Sequence, residues 1–199
     1  AFGAATEFGY KYLTIGGLFF KNDPHVFVKL EAIMVVLIAV SIGVLVGLEY
    51  MPFGLALVCC ILLSQRILEY VIVYSRNFIF NRGRIFTHFS DSSTLGQWVI
   101  LVFFLNVIEI IVVFAVWYRF FFLFFDRAFS HAITFTVMDS LYLSMTTFAM
   151  VSFGDIIPTA YFTKTFVMIE SMLIFYTIIV VINGLISVHF GSRDHKDTK

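Results

Sequence analysis

Residues 32–48 contain no charged side chain, and long runs that are nearly as apolar recur three more times along the chain. These runs restrict the fold more than any other feature. A bilayer core about 30 Å thick is crossed by roughly 20 mostly apolar helical residues. The first run, with its flank from Phe27, predicts a span over residues 27–48, closed by the polar break Glu49-Tyr50-Met51-Pro52. A second follows over 53–74, with Arg66 and Glu69 late in it. A third covers 98–118 and is interrupted by Glu109, and a fourth covers 165–190, uncharged between Glu170 and Arg193. The expected fold class is therefore all-α integral membrane, multi-pass, with four transmembrane helices in a plasma or inner membrane.

Composition agrees with that setting. Hydrophobic residues make up 60% of the 199-residue chain and charged residues 13%, where soluble proteins average about 25% charged. Thirteen basic and thirteen acidic residues cancel, so no net field draws nucleic acid and no such partner is expected. The lipid bilayer is the expected partner for a surface so rich in Phe, which occurs 26 times. Adjacent Cys59 and Cys60 point in different directions on a helix and are not expected to bridge. No CxxC, HExxH, GxSxG or P-loop pattern occurs, and an enzyme is not expected. The histidines lack metal-ligand spacing, so no metal site is assigned.

The chain divides by composition. Residues 1–26 mix Phe, Tyr and Lys, which suits an interfacial segment, and they lack the compact apolar core of a signal peptide. Residues 27–75 form a two-helix hairpin. Residues 76–97 form a loop whose RNFIFNRGRIFTHF stretch alternates aromatic and basic side chains, as expected near anionic headgroups. Residues 98–190 form the next module, and 191–199 a polar tail. Lys and Arg concentrate in the termini and in the 76–97 loop, which the positive-inside bias assigns to the inner side.

Between the third and fourth spans the pattern changes. Residues 133–148 are mainly apolar but too few to cross and return. They predict a re-entrant half-helix with Asp139 and Ser140 near its start. Residues 149–158 hold Gly154, Asp155 and Pro158 and cannot continue it. Non-helical backbone persists at membrane depth only where it is buried in protein or lines a watery cavity.

The stretch MDSLYLSMTTFAMVSFGDIIP, residues 138–158, resembles the pore sequence of potassium channels, commonly written DALYFSxxTLTTVGYGDIxP. Asp139, Leu141, Tyr142, Ser144, Thr147, Val151, Gly154, Asp155, Ile156 and Pro158 fall in register. The resemblance implies a filter-like loop in which backbone carbonyls replace an ion's hydration shell. Val151, Ser152, Phe153 and Gly154 would supply the ladder, with Met150 at its inner end and Asp155 and Thr147 as supports. Potassium or another monovalent cation would be the permeant ion, with no cofactor. One pore loop per chain implies a tetramer, and no Arg-every-third pattern suggests a voltage sensor. Gly184, in VINGLIS, resembles the hinge of the family's inner helix, although close helix packing explains a small residue equally well.

Three positions depart from the family pattern. Met150 replaces a Thr and removes a hydroxyl ligand, Ser152 replaces a Gly, and Phe153 replaces a Tyr. A left-handed conformation at Ser152 costs about 1 kcal/mol or more. Two functions follow as expectations. One is a cation-channel subunit with a degenerate filter. The other is a non-conducting channel-fold subunit among unrelated chains of a larger membrane complex. Elsewhere, Glu109 and Asn106 share a helix face at mid-membrane, where a charge needs a protein or cavity environment, and Arg66 and Glu69 are expected to pair.

Overall fold

The computed structural model describes residues 26–74, 92–130, 134–151 and 154–194. The expected interfacial segment up to residue 25, the basic and aromatic loop over 75–91, Ser152, Phe153 and the tail from residue 195 lie outside the described residues.

The elements follow the apolar runs. Helix α1 (Val26–Gly47) passes into a 3-10 turn, Leu48–Tyr50, and then α2 (Phe53–Tyr74) begins. Pro52 sets this break. It forces Met51 into an extended conformation, φ −93° and ψ 138°, because the residue before a proline avoids the helical region. Its carbonyl then accepts the Ala56 N–H at 3.0 Å. Helix α3 (Ser92–Phe124) has 33 residues, α4 (Val137–Phe148) has 12, and α5 (Tyr161–Asp194) has 34. Two-residue strands β1 (Phe129–Ser130) and β2 (Ile157–Pro158) pair antiparallel, Phe129 opposite Pro158.

Among the described residues, three stretches are long and apolar enough to cross a membrane: Phe53–Ile72 in α2, Phe103–Phe124 in α3 and Tyr161–Ile179 in α5. The chain is thus a helical protein suited to a membrane. The described apolar part of the first run, Met34–Tyr50, is shorter than these.

Several boundaries differ from expectation. Helix α3 does not stop at Tyr118, because Arg119 is buried and ion-paired with Glu49 and so does not end the run. The aromatic residues of 120–125 then carry the helix onward. Helix α5 opens four residues before the expected Thr165, with Lys164 on an exposed face. Helix α4 starts at Val137 rather than 133, because Thr136 caps it.

Two compact units are distinguished, one comprising residues 34–65 and 107–175, the other 1–33, 66–106 and 176–199. In the first, aromatic rings from α2, α3 and α5 pack together. Trp117 lies 4.8 Å from Phe166 and 5.4 Å from Phe121, and Phe53 meets Phe120 and Phe124 at 5.6 and 5.3 Å. Lipid is as apolar as these side chains, so van der Waals packing rather than water exclusion holds such a cluster. Each ring pair adds about 0.5–1.5 kcal/mol. The one polar edge of Trp117 is satisfied: Nε1 donates to Ser64 Oγ at 2.7 Å, and Ser64 donates to the Cys60 carbonyl at 2.8 Å. Cys59 and Cys60 are both free thiols.

In the second unit, Arg66 and Glu69 form the expected ion pair. The Tyr176 hydroxyl donates to the Val71 carbonyl at 2.9 Å, and its ring meets Tyr70 edge-on at 6.2 Å.

Candidate functional site

Helix α4 is the element that the sequence singles out, and its first turn is closed by a reciprocal cap. The Thr136 hydroxyl accepts the Asp139 N–H at 3.2 Å, while Asp139 Oδ2 accepts the Thr136 N–H at 2.6 Å. This is a capping box with Asp in the role usually taken by Glu. It also sets a carboxylate at the positive end of the helix dipole.

The middle of α4 is tied to α3 and α5 by a buried polar cluster. Glu170, on α5, is fully buried. Its Oε2 accepts the Tyr118 hydroxyl at 2.5 Å, and its Oε1 lies 2.6 Å from the Ser144 hydroxyl. Ser144 also lies 2.9 Å from the Ile111 carbonyl. Thr147 is in hydrogen-bonding contact with Tyr118 and reaches the Leu143 carbonyl at 2.8 Å. Polar side chains from three helices therefore satisfy one another around a single carboxylate, the condition under which burial of a charge or hydroxyl is tolerated.

The C-terminal end is built from backbone. Met150 adopts φ +56°. Its N–H returns to the Thr147 carbonyl at 3.0 Å, and the Val151 N–H returns to the Thr146 carbonyl at 2.9 Å. With Ala149 as the C-cap, these two bonds make a Schellman motif. Met occupies the left-handed position that glycine usually fills, at a cost of about 1–2 kcal/mol.

Further along the same loop, Gly154 is also left-handed, at φ +76°. An added Cβ there would meet nothing within 4 Å, so conformation rather than space calls for glycine. The chain is then fastened to the segment following α3. The Thr159 N–H donates to the Ala128 carbonyl at 3.0 Å, the Thr159 hydroxyl donates to the Arg127 carbonyl, and the Thr163 hydroxyl reaches Ala128 O at 3.1 Å.

The expected site residues divide accordingly. Met150, Val151 and Gly154 lie on one exposed loop after α4. Ser152 and Phe153, between them, lie outside the described residues. Asp155 is exposed; its Oδ1 accepts the Ile156 N–H at 3.0 Å, and it bonds the Tyr142 side chain. The Tyr142 phenol is raised above its ordinary pKa by desolvation first, then by the bond to Asp155 and that carboxylate's charge. Gly184 and Asn183 fall within the uninterrupted α5, and their surroundings lie outside the described side chains. Glu109 and Asn106 are both buried and both engaged. Among the described residues no His, Cys, Asp and Glu group has the arrangement of a metal site.

Sequence reasoning missed Glu170, which served there only as a boundary of the fourth span. The signal was present. A carboxylate within a run apolar enough to cross a membrane calls for polar partners on neighbouring helices, and Glu170 meets that condition as much as Glu109 does. No protein-family model, curated protein or solved structure matches the chain closely enough to count as a relative.

Proposed function

We propose that the chain is a subunit of a potassium-channel-like pathway for monovalent cations. In this reading it has four spans, a re-entrant half-helix and a filter-like loop between the third and fourth, and it assembles as a tetramer. One observation carries the reading: α4 is a separately capped helix of 12 residues between two long apolar helices. At 1.5 Å per residue it extends about 18 Å, against a core of about 30 Å. A helix of that length enters a bilayer without crossing it, and the loop after it must return. The resemblance of residues 138–158 to channel pore sequences supplies the function. Carbonyls of residues 150–154 would face the ion, and Asp155, held by Tyr142, would brace the loop.

A specific observation favours the second reading, a non-conducting channel-fold subunit of a larger membrane complex. The Schellman turn bends the chain at Met150, where the resemblance expects the inner end of a carbonyl ladder. Met150 and Val151 are 50% and 46% exposed, so in an assembly these apolar side chains would meet either their own copies or another chain. Cysteine cross-linking in the native membrane separates the two. With Gly184→Cys, a pore brings like residues to one axis, and disulfide ladders up to tetramer are expected, within a Cα separation of about 7 Å. Cross-links only to unrelated chains, with one copy per complex, would overturn the channel and leave the accessory subunit.

A further inference from the structure

Beside the start of α4 lies a cavity of about 530 Å³ whose lining includes Glu49, Arg119, Thr136, Phe122, Phe135 and Met138. It does not overlap the loop that follows α4. Arg119 is only 4% exposed and pairs with Glu49, yet its Nε has no hydrogen-bond partner among the described residues. A guanidinium offers five N–H donors, and a buried donor without an acceptor is a cost that a ligand can remove.

The charges around the cavity narrow the ligand. Glu49 contributes one carboxylate, and Asp139, one turn into α4, acts electrostatically on Arg119 as a second. A simple anion would meet two carboxylates against one guanidinium. A simple cation would leave the arginine donor unmet. A zwitterion that carries both an oxyanion and an ammonium answers both groups. The position narrows it further. Glu49 follows α1 in the polar break, and Thr136 immediately precedes α4, so both stand where the chain leaves apolar segments, the level of lipid headgroups. Phe122, Phe135 and Met138 supply apolar walls beside them.

We propose that this cavity binds the headgroup of a zwitterionic aminophospholipid, the phosphate toward Arg119 and the ammonium toward Glu49. The Arg119 Nε, without an acceptor among the described residues, suits the phosphate, whereas the start of α4 is already capped by the Asp139 carboxylate. The Glu49 side chain is 48% exposed, which leaves it able to hold a second cation besides Arg119. Free phosphoethanolamine has the same polar chemistry, and the apolar walls select the lipid over it.

The test is native mass spectrometry of the full chain, purified in neutral detergent and titrated with dioleoyl phosphatidylethanolamine or dioleoyl phosphatidylglycerol. The wild-type chain is expected to retain the ethanolamine lipid about tenfold more tightly than the glycerol lipid, and Glu49→Gln to abolish that preference, a step of about one decade in affinity. Arg119→Gln should lower retention of both lipids. Because Arg119 is buried and its replacement can unfold the chain, the substitution at half-exposed Glu49 is the deciding one. Equal retention of the two lipids, unchanged by Glu49→Gln, means an adventitious annular lipid only and overturns the proposal. Preference for the glycerol lipid overturns the zwitterion. Displacement of the ethanolamine lipid by an equal concentration of free phosphoethanolamine overturns the lipid as the occupant.

Discussion

The two ends of α4 are held by opposite means. At its start the bonds come from side chains, and Thr136 and Asp139 each satisfy the other's backbone N–H. At its end, backbone satisfies backbone, and the price is a methionine in the left-handed region. The first arrangement depends on residue type and tolerates few substitutions. The second depends on conformation, and many residues can occupy it at a modest penalty. A short helix built in this way has a start defined by its sequence and an end whose chemistry is free to vary.

The comparison is broken most severely from the middle. Glu170→Leu removes the acceptor shared by Tyr118 and Ser144, so the tie from α4 to α5 through this carboxylate is lost and α4 keeps the Ser144 bond to the Ile111 carbonyl and the Thr147 contact with Tyr118. A loss of about 3 kcal/mol is expected in reversible unfolding of the full chain in mixed micelles. A loss below about 1 kcal/mol would mean that the cluster contributes little beyond packing.

Thr136→Ala tests the start. Loss of an N-cap hydroxyl is expected to destabilise by about 1 kcal/mol, with hydrogen exchange rising first in the opening turn of α4. Asp139→Asn, which keeps an acceptor, should cost less. Equal exchange along the whole helix would show that the capping box does not govern its start.

Met150→Gly tests the end and has the smallest effect, of opposite sign. Glycine adopts φ > 0 freely, so the folded state should gain up to about 1 kcal/mol, partly offset by glycine's greater freedom when unfolded. Met150→Val, which is β-branched and resists this region, should destabilise instead. If both substitutions were destabilising to the same degree, the side chain of Met150 rather than its backbone would be the element that matters.

These two ends also explain what the sequence makes legible. Apolar runs locate α2, α3 and α5, because about 20 mostly apolar residues have few other uses. Thr136-x-x-Asp139 is a pattern of residue types, and Asp139 is expected near the start of the half-helix from the sequence alone. The left-handed conformation of Met150 is not, because nothing in a methionine signals it; the conformation arises from two backbone bonds. The end of α3 is misjudged for a related reason. Arg119 reads as a terminating charge until its partner Glu49, distant in sequence, is known. Glu170 likewise gains its meaning only from Tyr118 and Ser144 on other helices. Position along a chain reveals hydropathy, whereas pairing across it depends on tertiary structure.

The β1–β2 pair and the threonine bonds to residues 127 and 128 have a consequence of their own. With α4 on one side and this clasp on the other, the chain is anchored both before Met150 and after Ile156. The entropy of closing the loop between them is borne by contacts outside it, and that entropy changes only slowly with loop length. Apart from Met150 and Gly154, whose backbone conformations are demanding, exposed side chains on the described part of this segment bear little responsibility for folding. An exposed side chain such as that of Val151 can vary while the frame around it persists. A clasp of this kind makes the loop the part of the molecule where single substitutions can change what the surface presents without undoing the frame.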